Sequence, residues 1–123
     1  MFIPFNPNPR ENLTTDCTVR AISLATGKDW DTTYVALCFW GFILKDMPSR
    51  NKVWDTYLRR LGFQRRLVPD RCPDCYTVKE FVEDYPLEAG IIAVGDHVVA
   101  VVNGNYFDSW DSGDEIPRYF YSR

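Results

Sequence analysis

At 123 residues the chain has room for one domain with a substantial core and too little for two. A hydrophobic content of 46% excludes a disordered protein, and a net charge of −3 with no basic stripe speaks against a nucleic-acid partner. No stretch reaches the roughly 18 consecutive apolar residues of a membrane span.

The opening residues, Met1 to Pro9, carry three prolines and no basic segment followed by an apolar run, so no signal peptide is read there. Four cysteines without an export signal are then expected to be free thiols, metal ligands or catalytic groups rather than a disulfide framework. A cytoplasmic location is the matching expectation.

The first helix is expected to open at Cys17. Thr15 or Asp16 can cap it, Val19, Ile22 and Ala25 recur at helical spacing, and Gly27 stops the pattern. A cysteine in the first turn feels free backbone N–H groups and the positive end of the helix dipole, which favour thiolate over thiol. Cys17 is therefore a candidate nucleophile, against the blander reading of a small apolar residue filling the core.

A second helix is expected from about Trp30 to Phe39, capped by Asp29 or Asp31, with Trp30, Tyr34, Val35 and a core Cys38 on one face. A third reads from Ser49 to Leu61, with Val53, Trp54, Tyr57, Leu58 and Leu61 as its apolar stripe and Gly62 ending it. Phe63 to Val68 alternates like a short strand.

The loop from Pro69 to Cys75 holds the one Cys-x-x-Cys spacing, Cys72 and Cys75. This is half of a zinc site. A structural zinc needs four ligands, and no second pair follows, so the expectation is no metal and no cofactor, with Cys72 and Cys75 as a weak zinc alternative. Thr77 can cap a short helix to about Asp84, with Val78, Phe81 and Val82 facing inward.

From Gly90 the chain turns to strands. Ile91 to Val94 and His97 to Val102 are β-rich runs, and Asn103-Gly104 is a two-residue hairpin signal with both residues at positive φ, returning through Asn105 to Asp108. Helices first and an antiparallel meander second is an α+β order. With that turn Val102 pairs with Asn105, and His97, Asp108 and Trp110 fall on one face. Asp108 can then hold the ring of His97, the only histidine, while a three-residue turn would bring Asp111 there instead.

A cysteine at a helix start, a histidine at a strand start and an aspartate at the end of the next strand resemble the papain-like cysteine peptidase superfamily, particularly its small bacterial branches such as the bacteriocin-processing peptidases. The carrying motifs are Asn12 through Cys17, Gly95 through Val101, and Asn103 through Asp108. The resemblance implies a single papain-like domain over residues 1–123, α+β, with N-terminal helices packed on a C-terminal antiparallel sheet. It further implies Cys17 as nucleophile, His97 as base and acid, Asp108 as orienter, and Asn12 with the Cys17 N–H as oxyanion donors. Asn12 departs from the usual glutamine, which more often stands six positions ahead of the cysteine than five.

The implied activity is acyl transfer on a peptide, protein or other amide, ester or thioester, with hydrolysis as default. The alternative is a non-catalytic binding or inhibitory module on the same scaffold, phage-encoded for instance, with Trp110, Tyr119, Phe120 and Tyr121 as its contact face. Nothing in the sequence fixes the oligomeric state.

Overall fold

The computed structural model describes residues 1–69 and 74–123. Its elements run β1 (Phe2–Pro4), α1 (Cys17–Thr26), α2 (Trp30–Leu44), α3 (Asn51–Arg60), β2 (Gln64–Leu67), α4 (Val78–Asp84), β3 (Gly90–Val94), β4 (His97–Val102), β5 (Asn105–Asp108) and β6 (Tyr119–Ser122). The class is α+β. Among the described residues no helix is long and apolar enough to cross a membrane.

The six strands form one sheet in the order β1-β5-β4-β3-β6-β2. Its central strands read as unbroken apolar runs because both faces are covered. On one face Ile91, Ala93, Val98, Ala100 and Tyr121 pack with Val19, Ile22, Leu37, Trp54 and Leu58 from α1, α2 and α3. The alternate residues, Ile92, Val94, Val99, Val101 and Tyr106, meet Val78, Phe81 and Val82 of α4 on the other.

The hairpin register is the one the Asn103-Gly104 turn demands. Asn103 has φ 51° and Gly104 φ 82°, and Val102 stands opposite Asn105 with Ala100 opposite Phe107. Thr77 caps α4 by accepting a hydrogen bond from the Glu80 N–H, and Asp29 caps α2 through the Thr32 N–H. The α3 stripe is buried at Val53, Trp54, Tyr57 and Leu58 as its periodicity requires.

Four expectations are corrected. The sheet is mixed, not antiparallel: β1 runs parallel to β5, pairing Phe2 with Tyr106 and Pro4 with Asp108. Prolines exclude a helix here but not an edge strand, where a missing N–H costs little. Of the expected aromatic contact face only part is open: Tyr119–Ser122 inserts as β6 between β3 and β2, with Tyr121 buried and Tyr119 and Phe120 half-buried, while Trp110 is exposed. Strands also precede and interrupt the helices.

The fourth correction concerns α2, which continues past Phe39 to Leu44 and buries Thr33, Leu37 and Gly41 instead of Tyr34 and Val35. Tyr34 and Val35 are exposed and Cys38 is half-buried. A helix apolar nearly all round carries no periodic signal to choose its inner face. Packing chose the row of Thr33, Leu37 and Gly41.

Candidate active site

α1 begins at Cys17, so the sulfur sits on the first helical residue. Neither expected cap forms. Asp16 occupies the cap position, but its side chain makes no capping hydrogen bond; it pairs instead with Arg20 and accepts from Trp30 Nε1 at 2.9 Å. The first intrahelical bond runs from the Arg20 N–H to the Asp16 carbonyl. The N–H groups of Cys17, Thr18 and Val19 precede it and remain at the helix opening, where they favour negative charge.

His97 opens β4 and Asp108 closes β5, and the hairpin between them brings the two together. His97 Nε2 lies 2.5 Å from Asp108 Oδ2. The ring also shares a side-chain hydrogen bond with Cys17. Trp110 stacks on the imidazole with ring centroids 5.1 Å apart. Asp111, the carboxylate of the slipped register, instead accepts from the Tyr106 hydroxyl and the Gly113 N–H.

Behind the histidine lies a buried ion network that the sequence reading missed. Asp108 is 1% exposed; while Oδ2 faces His97, Oδ1 accepts from Arg20 Nη2 at 3.1 Å and from the Ser109 N–H at 2.7 Å. Arg20, itself buried, bridges to buried Asp16 on the preceding turn. One guanidinium thus faces two buried carboxylates, and an imidazolium at His97 supplies the second positive charge. The Asp16 and Arg20 spacing of four residues was the available signal. β1 adds to the arrangement, since the Phe5 N–H donates to the Asp108 carbonyl at 2.8 Å.

The protonation states follow from these contacts. Burial pushes the Cys17 thiol up, but the hydrogen bond to His97, the Val98 backbone and the positive charges of His97 and Arg20 outweigh it and bring the thiol below its ordinary value. Burial disfavours a charged His97, yet hydrogen bonds to Asp108 and Cys17 and their negative charge raise it to about 9. Asp108 resists burial likewise: the His97 hydrogen bond and charge, the nearby Ser112 hydroxyl and the Ser109 N–H hold it below the usual carboxylate range. All three shifts favour a thiolate beside an imidazolium.

Cys17 and His97 stand where two open clefts meet. One, of about 720 Å³, is lined by Arg50, Lys52, Trp54 and Tyr119 among others; the second, of about 630 Å³, by Asn6, Asn12, Leu13 and Trp110. Thr15, Cys17, Asp96 and His97 line both. Asn12 is exposed; its backbone carbonyl accepts from Asn6 Nδ2 at 3.3 Å, and it shares the second cleft with Cys17.

The Cys-x-x-Cys loop is only partly described. Cys72 lies outside the described residues, and Cys75 is disulfide-bonded, contrary to the expectation of free thiols. Cys17 and Cys38 are free. Among the described residues no group of three or more histidine, cysteine, aspartate or glutamate side chains is arranged to hold a metal ion.

Comparison with protein-family models, with curated proteins and with solved structures gives no match for this chain. The functional reading therefore rests on the chemistry of the cluster.

Proposed function

We propose that this protein is a thiol-dependent acyl-transfer enzyme, a small cysteine peptidase or amidohydrolase on a papain-like scaffold, with Cys17, His97 and Asp108 as its triad. What supports the reading is a single imidazole hydrogen-bonded both to a half-buried sulfur and to a buried carboxylate. A histidine bonded only to Asp108 would be an ordinary structural pair. A cysteine at an uncapped helix start, touching that same ring, gives the arrangement a nucleophile.

In the proposed reaction the Cys17 thiolate attacks a carbonyl carbon, and the new oxyanion rests on the Cys17 N–H and the Asn12 side chain. His97, protonated at the start, gives its proton to the leaving amine or alcohol as the tetrahedral intermediate collapses. The neutral ring then takes a proton from water, which attacks the acyl-enzyme, and the sulfur departs as a thiolate beside the imidazolium, restoring the starting pair. Asp108 keeps the ring in one orientation and stabilises its charge in both halves. The two clefts that Cys17 lines give room for groups flanking the carbonyl. Substrates are accordingly peptides, proteins or other amides, esters and thioesters.

The test uses p-nitrophenyl acetate as a generic acyl donor. A burst of p-nitrophenolate stoichiometric with protein, with the acetyl group found on Cys17 by peptide mass spectrometry, is expected. Cys17→Ala and His97→Ala should each abolish the burst while leaving the circular dichroism unchanged, and their double mutant should be no worse. Acetylation elsewhere, or none in folded protein, would replace this reading with a non-catalytic binding scaffold.

A further inference from the structure

The outward face of α2 is uncharged and apolar over three turns. Tyr34, Val35, Phe39, Phe42 and Ile43 are between 48% and 68% exposed, and no charged residue lies between Asp31 and Lys45. Solitary exposed apolar residues need no explanation, but a contiguous aromatic and aliphatic patch on a globular protein marks a contact surface. Its residue spacing says what fits it.

Asp31, Val35, Cys38 and Phe42 follow one another at intervals of four, three and four, the seam spacing of a helix that packs against another helix, and Lys45, three further on, is the left-handed residue that ends α2. The two ends of the seam carry opposite charges. Among the described residues neither Asp31 nor Lys45 enters an ion pair, and the Lys45 ammonium lies 3.9 Å from the centre of the Phe42 ring, on the seam itself.

We infer that α2 is a self-association surface, and that its partner is a second copy of this chain, packed antiparallel about a two-fold axis at Cys38. That axis places Asp31 of each copy opposite Lys45 of the other, Tyr34 opposite Phe42, and Cys38 opposite Cys38. The same patch serves both sides, as a two-fold interface requires, and the antiparallel helix dipoles attract. A parallel pairing would set Asp31 against Asp31 and Lys45 against Lys45. The seam is self-complementary in one direction only.

No residue of α2 lines either cleft, so pairing through this face leaves Cys17 open. The inference is thus independent of the proposed activity. It stands or falls on different measurements.

Sedimentation of the full chain up to about 100 μM should show a concentration-dependent dimer. A short bismaleimide should link two copies through Cys38, identified by peptide mass spectrometry in a Cys17→Ser background. Phe42→Asp should weaken dimerisation about tenfold or more without changing the circular dichroism. Asp31→Lys and Lys45→Asp should each weaken it, and the double exchange should restore it. A monomer throughout the concentration range, a dimer indifferent to Phe42→Asp, or a monomer that instead floats with lipid vesicles would overturn the inference.

Discussion

Arg20 and Asp108, 88 residues apart in the chain, are joined by a buried ion pair at 3.1 Å. The guanidinium occupies Asp108 Oδ1 and thereby leaves Oδ2 to His97. Since Arg20 sits on α1 and also holds Asp16, the residue before that helix, it fixes the Asp108 carboxylate to the element that carries Cys17. One arginine ties the sheet side of the site to the helix side.

Removing Arg20 leaves two buried carboxylates facing one another without their shared cation. Arg20→Met should destabilise the protein by about 3–5 kcal/mol, read from urea unfolding, and adding Asp16→Asn should recover part of the loss. An Arg20→Met protein of unchanged stability would remove the ion network from the account of the fold.

Cys17 should alkylate fastest of the free thiols, and its rate should stay high below the usual thiol range because its thiolate persists there. Iodoacetamide rates measured against pH, with the labelled site identified by mass spectrometry, give the comparison with Cys38. Asp108→Asn should move the Cys17 profile towards higher pH, because the imidazolium that stabilises the thiolate loses its own counter-charge.

The pH dependence of stability has a sign that can be worked out. His97 is raised in the fold from 6.5 to about 9, so its contribution is complete below 6.5 and is lost as pH climbs through about 9. Cys17 is shifted the opposite way: its contribution is present above the ordinary thiol value of 9.0 and is lost as pH falls through its lowered folded value. At pH values above the lowered Cys17 value and between 6.5 and about 9, the folded protein binds one proton, on His97, and the unfolded chain one, on Cys17. The wild-type melting temperature should therefore change little across that interval. Cys17→Ser removes the compensation, and its melting temperature should fall as pH rises from 6.5 towards 9. Parallel wild-type and variant curves would show that the two groups do not titrate as a pair.

Gly104 is held at φ 82° with ordinary space around it, since an added Cβ would lie 3.8 Å from its nearest neighbours. The cost of Gly104→Val is thus one of backbone conformation and not of collision. It should lower stability by about 1–2 kcal/mol in thermal or urea unfolding and slow Cys17 alkylation by disturbing the register between His97 and Asp108.

What the sequence by itself determined about this protein is local. The Thr77 cap, the α3 stripe, the Asn103-Gly104 turn and the register from Val102 opposite Asn105 each depend on residues a few positions apart, where hydrogen bonding and side-chain period act directly. Because a two-residue turn fixes register, the closeness of His97 and Asp108 was legible as well. Cys17 at a helix start was legible, but its contact with His97 was only implied by resemblance.

Tertiary structure decided the remainder. Phe2–Pro4 and Tyr119–Ser122 become strands only because edges of the sheet lie open to them, and no local pattern names β5 or β3 as their neighbours. The inner face of α2, Thr33, Leu37 and Gly41, was set by tertiary packing, since its apolar residues run nearly all round. Asp16 is a good cap by type, yet it serves Arg20 and Trp30 instead, because a buried guanidinium must be paired and a helix opening facing a cleft need not be capped by its own side chain. The site's charge balance is a property of four residues from three elements and the residue before α1, and only folding sums it.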